Sequence, residues 1–165
     1  MVIFPRVMIP ESFTNALRTF NSVVGNKARW AVDRSTALAL QGFDLEPGDI
    51  DILTDREGAY RIQGLLAGYA VRPVAYSESN KYRSHYGSFS IDGVRVEVMG
   101  DFQECRNGTW GETRALSTVK ISQVALGNDT IPVVSLESLR ADGYLSKRIG
   151  REAGTDPRSP GLTPR

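Results

Sequence analysis

A chain of 165 residues, 41% of them apolar and 24% charged, is long enough for one compact domain with a real core. Its formal net charge of +1 excludes bulk electrostatic attraction to nucleic acid and leaves room only for a local basic patch. One cysteine, Cys105, and one histidine, His85, exclude an intrachain disulfide and a Cys/His zinc cluster, so the expected setting is the cytoplasm.

The opening Met1–Pro10 is apolar but short, and Pro5 and Pro10 interrupt it. Neither a signal peptide nor a membrane span is expected. From Glu11 to Val24 the residues Phe13, Ala16, Leu17, Phe20, Val23 and Val24 recur at helical spacing, with Pro10 suited to the first turn and Gly25 to the end. Trp30-Ala31-Val32 predicts a short strand, Asp33-Arg34-Ser35-Thr36 a tight turn, and Ala37–Leu40 a short helix running to Gly42. In Pro47–Thr54 the carboxylates Asp49 and Asp51 alternate with Ile50 and Ile52 in a run too short and too β-branched for a helix. On a strand that places the two acids on one face, roughly 6.5 to 7 Å apart, and the isoleucines on the other. Asp55 then caps a helix with Ala59, Ile62, Leu65 and Leu66 as its buried stripe, ending at Gly68, and Val71–Ala75 forms another strand.

Asp92-Gly93, between Ser-Phe-Ser-Ile and Val-Arg-Val-Glu-Val, predicts a β-hairpin. Pairing Ile91 with Val94 sets Phe89 opposite Val96 and Ser88 opposite Glu97, so the apolar residues share one face while Ser88, Ser90, Arg95 and Glu97 share the other. Farther back, Ser84 and Tyr86 fall on the Glu97 face and Arg83 and His85 on the opposite one, unless Gly87 marks a bulge that reverses them. Arg95 beside Glu97 allows an ordinary ion pair that would leave Glu97 structural. Trp30 and Trp110 read as packing residues, Cys105 as inert, and Lys81 and Arg83 as solvated, with contact to phosphate as the lesser alternative. Gly100–Gly111 looks irregular, Val119–Leu126 and Ile131–Val134 form strands about the Gly127-Asn128-Asp129 turn, and Ser135 caps a helix to about Arg148 that Gly143 weakens. Ala153–Arg165 is rich in proline and glycine with no apolar pattern. The division is one domain over 1–150 and an unstructured tail over 151–165.

Asp-x-Asp pairs often do no more than solvate a strand, and a structural domain with three surface acids is the plainest alternative. Three carboxylates, however, suit hard cations such as Mg²⁺ or Mn²⁺, which bridge nucleotide phosphates, and the backbone N–H groups and hydroxyls of Ser35 and Thr36 suit the terminal phosphates. In this the sequence resembles the nucleotidyltransferase superfamily related to DNA polymerase β. Within it the likeness is to the small bacterial and archaeal members, which include antibiotic-modifying and toxin–antitoxin proteins. The family's Gly-Ser turn, helix, Asp-x-Asp strand and later acidic strand read here as Arg34-Ser35, Ala37–Gly42, Asp49-Ile50-Asp51 and Val96-Glu97-Val98.

The resemblance implies an α/β (α+β) fold, a mixed sheet with flanking helices that contains the Asp92-Gly93 hairpin. It implies Asp49, Asp51 and Glu97 as catalytic and metal-binding residues, Arg34, Ser35 and Thr36 as the nucleotide site, Mg²⁺ or Mn²⁺ as cofactor and an NTP as substrate. The NMP would pass to a hydroxyl of an unidentified small-molecule, protein or RNA acceptor. The alternative is a catalytically weakened subunit that binds nucleotide or regulates, working with a protein partner or a second copy. Arg34 stands where the family has glycine, and glycine there lets the backbone approach phosphate. The arginine therefore either obstructs that approach or joins it as a ligand, and the family's reliance on backbone contact favours obstruction. Arg34→Gly is expected to tighten NTP binding at saturating Mg²⁺, measured by calorimetry; weaker binding by the variant decides for arginine as a ligand.

Overall fold

The computed structural model describes residues 2–4 and 9–148; the expected tail at 151–165 lies outside them. After a short strand β1 (Val2–Ile3), helix α1 (Glu11–Val24) buries Phe13, Ala16, Leu17, Phe20 and Val24 along one stripe. It ends at Gly25, whose φ of +49° glycine adopts without strain. Trp30 closes that end, edge-on to Phe20 at 4.7 Å between centroids and donating its Nε1–H to the Gly25 carbonyl at 2.8 Å.

Strand β2 (Ala31–Asp33) runs straight into helix α2 (Arg34–Leu40), so the expected turn at 33–36 is compressed into one residue, Arg34, at φ +55°. Strand β3 (Ile50–Thr54) and helix α3 (Arg56–Leu65) follow, and Asp55 caps the helix by accepting the Gly58 N–H at 2.6 Å. Then come β4 (Ala70–Glu78), β5 (Tyr82–Ile91), β6 (Val94–Arg106), β7 (Thr109–Trp110), β8 (Ile121–Leu126), β9 (Asp129–Val134) and helix α4 (Leu136–Ala141).

Among the described residues the nine strands form one mixed sheet in the order β1, β8, β9, β2, β3, β6, β5, β4, with β7 beside β6. The parallel β3–β6 pair sets Ile50 and Ile52 against Val96 and Val98, all at most 1% exposed. Helix α3 covers that apolar face, because Gly100, in line with Val96 and Val98, lies against Asp55 and Ala59. The opposite face of the same strands carries Asp51 and Glu97.

The hairpin register is the expected one, continuous from Ile91↔Val94 through Gly87↔Val98 to His85↔Gly100. Gly87 is no bulge in β5, yet it answers one. Opposite it β4 is irregular at Pro73, which has no N–H for the ladder, and Val74 sends its own N–H to Gln63 Oε1 at 2.9 Å. A further bulge sits in β6, where Asp101, at φ +54°, and Phe102 together face Ser84. Two expectations fail. The supposedly irregular 100–111 continues β6 to Arg106 and turns at Asn107-Gly108, both at positive φ, into β7. The last helix does not run unbroken from Ser135 to Arg148; Gly143, at φ +81°, interrupts it after α4 and residues 144–148 resume it.

A methyl group at Gly87 would lie 2.6 Å from Val74 Cγ2 and 3.0 Å from the Arg72 carbonyl. Gly87→Ala is expected to cost about 1–3 kcal/mol in urea unfolding by overpacking. Gly64→Ala in α3, where nothing lies within 4 Å, is expected to stabilise by about 0.5–1 kcal/mol. Equal effects at the two sites would contradict the close approach of β4 to Gly87.

Candidate functional site

The sheet order places one row of side chains across its middle. Asp33 on β2 pairs with Asp51 on β3, Asp51 with Glu97 on β6, and Glu97 with Ser88 on β5. Adjacent strands are only about 4.8 Å apart, so three carboxylates in this row repel one another unless each is neutralised. Each is, by a different means.

Asp33, 1% exposed, is gripped by Arg114, whose Nη2 donates to Oδ1 at 2.9 Å while Nη1 donates to Oδ2. Oδ1 also accepts the Arg34 N–H at 2.9 Å, capping α2. The same guanidinium reaches Asp142 with Nε at 2.8 Å. A buried fork thus ties the end of β2 to the end of α4.

Asp51 is biased towards its protonated form. Burial pushes its carboxyl well above the usual carboxylate range; Arg34 pulls it down, and the hydrogen bond with Glu97 pushes it up again. Burial likewise opposes the charge on Glu97. There the Tyr86 hydroxyl at 2.8 Å, the Asp51 carboxyl and Arg95 Nε at 3.0 Å outweigh it and hold the group below its ordinary value. The pair is therefore biased towards a proton on Asp51 and a charge on Glu97. The Arg95–Glu97 ion pair anticipated from the hairpin is present, and Tyr86 closes the triangle by accepting from Arg95 Nη2 at 3.0 Å.

The structure thus brings together Asp51 and Glu97 of the three expected acids. Asp49 precedes β3, half-buried, and its carbonyl accepts from Thr36 Oγ1 at 2.8 Å. Among the described residues no three His, Cys, Asp or Glu side chains are grouped as a ready-made metal cage. Ser35 begins the first turn of α2 at 9% exposure, and Thr36 is fully buried. Arg34 lies over the rings of Phe102 and Tyr144, at 4.8 and 5.7 Å from their centroids.

Two cavities meet at Arg34 and Phe102. One, of about 350 Å³, has Asp51 and Glu97 in its wall, with Arg72, Arg83, Ser84 and Tyr86. The other, of about 470 Å³, is lined by Glu104, Glu112, Arg114, Asp142, Tyr144 and Lys147 among others. Arg83, expected on the far face, lines the first cavity because the bulge at Asp101 and Phe102 twists the end of the hairpin. His85 stays on the far face, its Nδ1 2.9 Å from the Tyr60 hydroxyl. Sequence reasoning missed Asp33, Tyr86, Arg114 and Asp142 as parts of the site. Asp33 carried a mark as an acid ending an apolar strand, and Tyr86 one in its place on the Glu97 face; Arg114 reaches Asp33 across 81 positions.

Residues 16–157 match the family model described as aminoglycoside-2″-adenylyltransferase. The chain is also similar to a crystal structure of a Thermotoga maritima protein provisionally assigned as a nucleotidyltransferase. The two share 35% identity at a TM-score of 0.76, over 91% of this chain and 93% of the other. No curated protein matches the chain significantly.

The proton on Asp51 has a measurable consequence without any metal. Above the pKa of Asp51 in the unfolded chain, about 4, the unfolded state releases a proton that the folded state keeps, so Asp51 makes stability fall as pH rises, until its raised folded pKa is passed. Glu97 acts in the opposite sense, its contribution lost as pH falls through its depressed pKa. In EDTA, the Tm of Asp51→Asn is expected to exceed that of wild type near pH 8, with the gap closing towards pH 4. A gap independent of pH would contradict a protonated Asp51.

Proposed function

We propose how transfer proceeds here on a definite premise: the chain belongs to the aminoglycoside-2″-adenylyltransferase family, a branch of the nucleotidyltransferase superfamily, and it is an enzyme of nucleotidyl transfer. The observation that carries the reading is the direct pairing of Asp51 with Glu97 in the wall of a cavity that also holds Arg34. An acceptor hydroxyl attacks the α-phosphorus of an NTP. The new O–P bond forms as the bond to the bridging oxygen of the β-phosphate breaks, pyrophosphate leaves with the electron pair, and the hydroxyl proton passes to a carboxylate of the pair.

Two carboxylates paired side by side suit a divalent cation between them, and hard oxygen donors match Mg²⁺ or Mn²⁺. Asp51 and Glu97 would hold the ion, with Asp49, two residues before Asp51, as a further ligand. Bound there, it would supply Lewis-acid stabilisation of charge on the phosphoryl oxygens. Ser35 at the start of α2 faces the phosphates with its backbone N–H and hydroxyl, and Thr36 supports Asp49 through the Asp49 carbonyl. The 470 Å³ cavity beside Arg34 takes the acceptor, and its size suits a small hydroxylated molecule better than RNA or protein. An aminoglycoside, named in the family's description, is the first acceptor to test. A second reading, a subunit that binds nucleotide and transfers it weakly, draws support from Arg34 at the family's glycine position.

The test offers each α-labelled NTP with Mg²⁺ to a panel of acceptors that includes aminoglycosides. Label is expected to move to an acceptor, and Asp51→Asn, folded, is expected to lower the rate at least about a hundredfold. Wild-type rate in Asp51→Asn overturns the assignment. Tight NTP binding with no transfer to any acceptor decides for the second reading.

A further inference from the structure

We propose that the β4–β5 hairpin carries a phosphate clamp, Arg72 and Arg83, that holds the pyrophosphate end of the nucleotide. The inference rests on the transfer reading above and deepens it, since nothing in that reading assigns a role to the hairpin.

The row that contains the acids continues onto the hairpin. Glu97 pairs with Ser88, and Ser88 pairs with Arg72 on β4. Two strand spacings, roughly 10 Å, thus separate the Arg72 backbone from that of Glu97. An α-phosphate beside the acids leaves the next two phosphates within reach of a long arginine side chain from that strand. Arg83 lines the same cavity from β5, with Ser77, Ser79 and Ser84 nearby as hydroxyl donors.

Charge points the same way. The chain as a whole carries only +1, yet the cavity lining holds Arg34, Arg72 and Arg83 against Asp51 and Glu97. Glu97 already has Arg95. A cavity with a surplus of arginine favours a polyanion.

Both side chains are held in place with little neutralisation, Arg83 having one long ion pair, to Glu78. The Arg72 guanidinium lies over the Tyr86 ring, 5.0 Å from its centroid, with Nη2 3.4 Å from Ser77 Oγ. No carboxylate among the described residues pairs with it. Arg83 lies over Trp110 at 4.2 Å and donates Nε–H to Gln103 at 2.9 Å, and Nη1 is only loosely placed, 3.8 Å from Glu78. A guanidinium resting on an aromatic face keeps its N–H edge free, and that edge matches two phosphate oxygens at once.

Calorimetry with the full chain tests this, using inorganic pyrophosphate, the tightest-binding NTP and the corresponding NMP. Arg72→Gln and Arg83→Gln are each expected to weaken pyrophosphate and NTP about ten- to a hundredfold, while NMP affinity stays within twofold. Arg83→Lys, which keeps the charge but not the fork, is expected to fall between. In turnover, pyrophosphate should inhibit the glutamine variants correspondingly less. Folded variants that bind pyrophosphate as tightly as wild type overturn the clamp and leave the transfer reading intact. Equal weakening of NMP also overturns it, since the arginines would then serve the nucleoside monophosphate. Wild-type protein that binds neither NTP nor pyrophosphate overturns both.

Discussion

Everything at the site depends on the parallel pairing of β3 with β6. Five successive partners, from Ile50↔Val96 to Thr54↔Gly100, leave no freedom of register, because a slip of one residue would turn both the apolar row and the acid row to the wrong faces. Burial of Ile50, Ile52, Val96 and Val98 therefore forces Asp51 and Glu97 together. The hydrophobic face supplies the free energy for a juxtaposition that the carboxylates would oppose, and the hydrogen bond between them lessens that opposition.

Local pattern made a good part of this legible. The Asp-Ile-Asp alternation sorts faces without reference to any other strand, and the Asp92-Gly93 turn fixes the hairpin register by itself, so Glu97 reaches the polar face on sequence grounds alone. Helix α1 follows from its apolar stripe. What stayed hidden is nonlocal. That β6 lies beside β3, and not beside another strand, depends on how α3 crosses the sheet between them. Arg114 gives no periodic signal, and its role comes from meeting Asp33 and Asp142 in the folded chain. The bulge at Asp101 and Phe102 was illegible for a different reason. A non-glycine residue in the left-handed region is held there by its neighbours, not by its own preference. The same cause hid the length of β6, whose later residues are too polar to look like a strand until β7 folds back against them.

Arg34 shows how one turn geometry survives a change of residue. A left-handed conformation costs a non-glycine residue about 1–2 kcal/mol. Here the cap from Asp33 and the two aromatic faces under the guanidinium offset it. The backbone path into α2 is thus kept, while the side chain becomes the partition between two cavities.

The strand order has a consequence for how the molecule comes into being. Strand β2, central and fully buried, is flanked by β3 on one side and by β9 on the other, and β9 emerges from the ribosome about a hundred residues later. Throughout that interval one edge of Ala31–Asp33 has no partner, and for most of it Asp33 has no Arg114 to neutralise it. The chain must carry an open, apolar strand edge through most of its synthesis, the condition under which nascent proteins aggregate or recruit chaperones. The candidate site is accordingly among the last parts to take shape, completed only when Asp142 arrives to anchor the arginine that holds the first acid of the row.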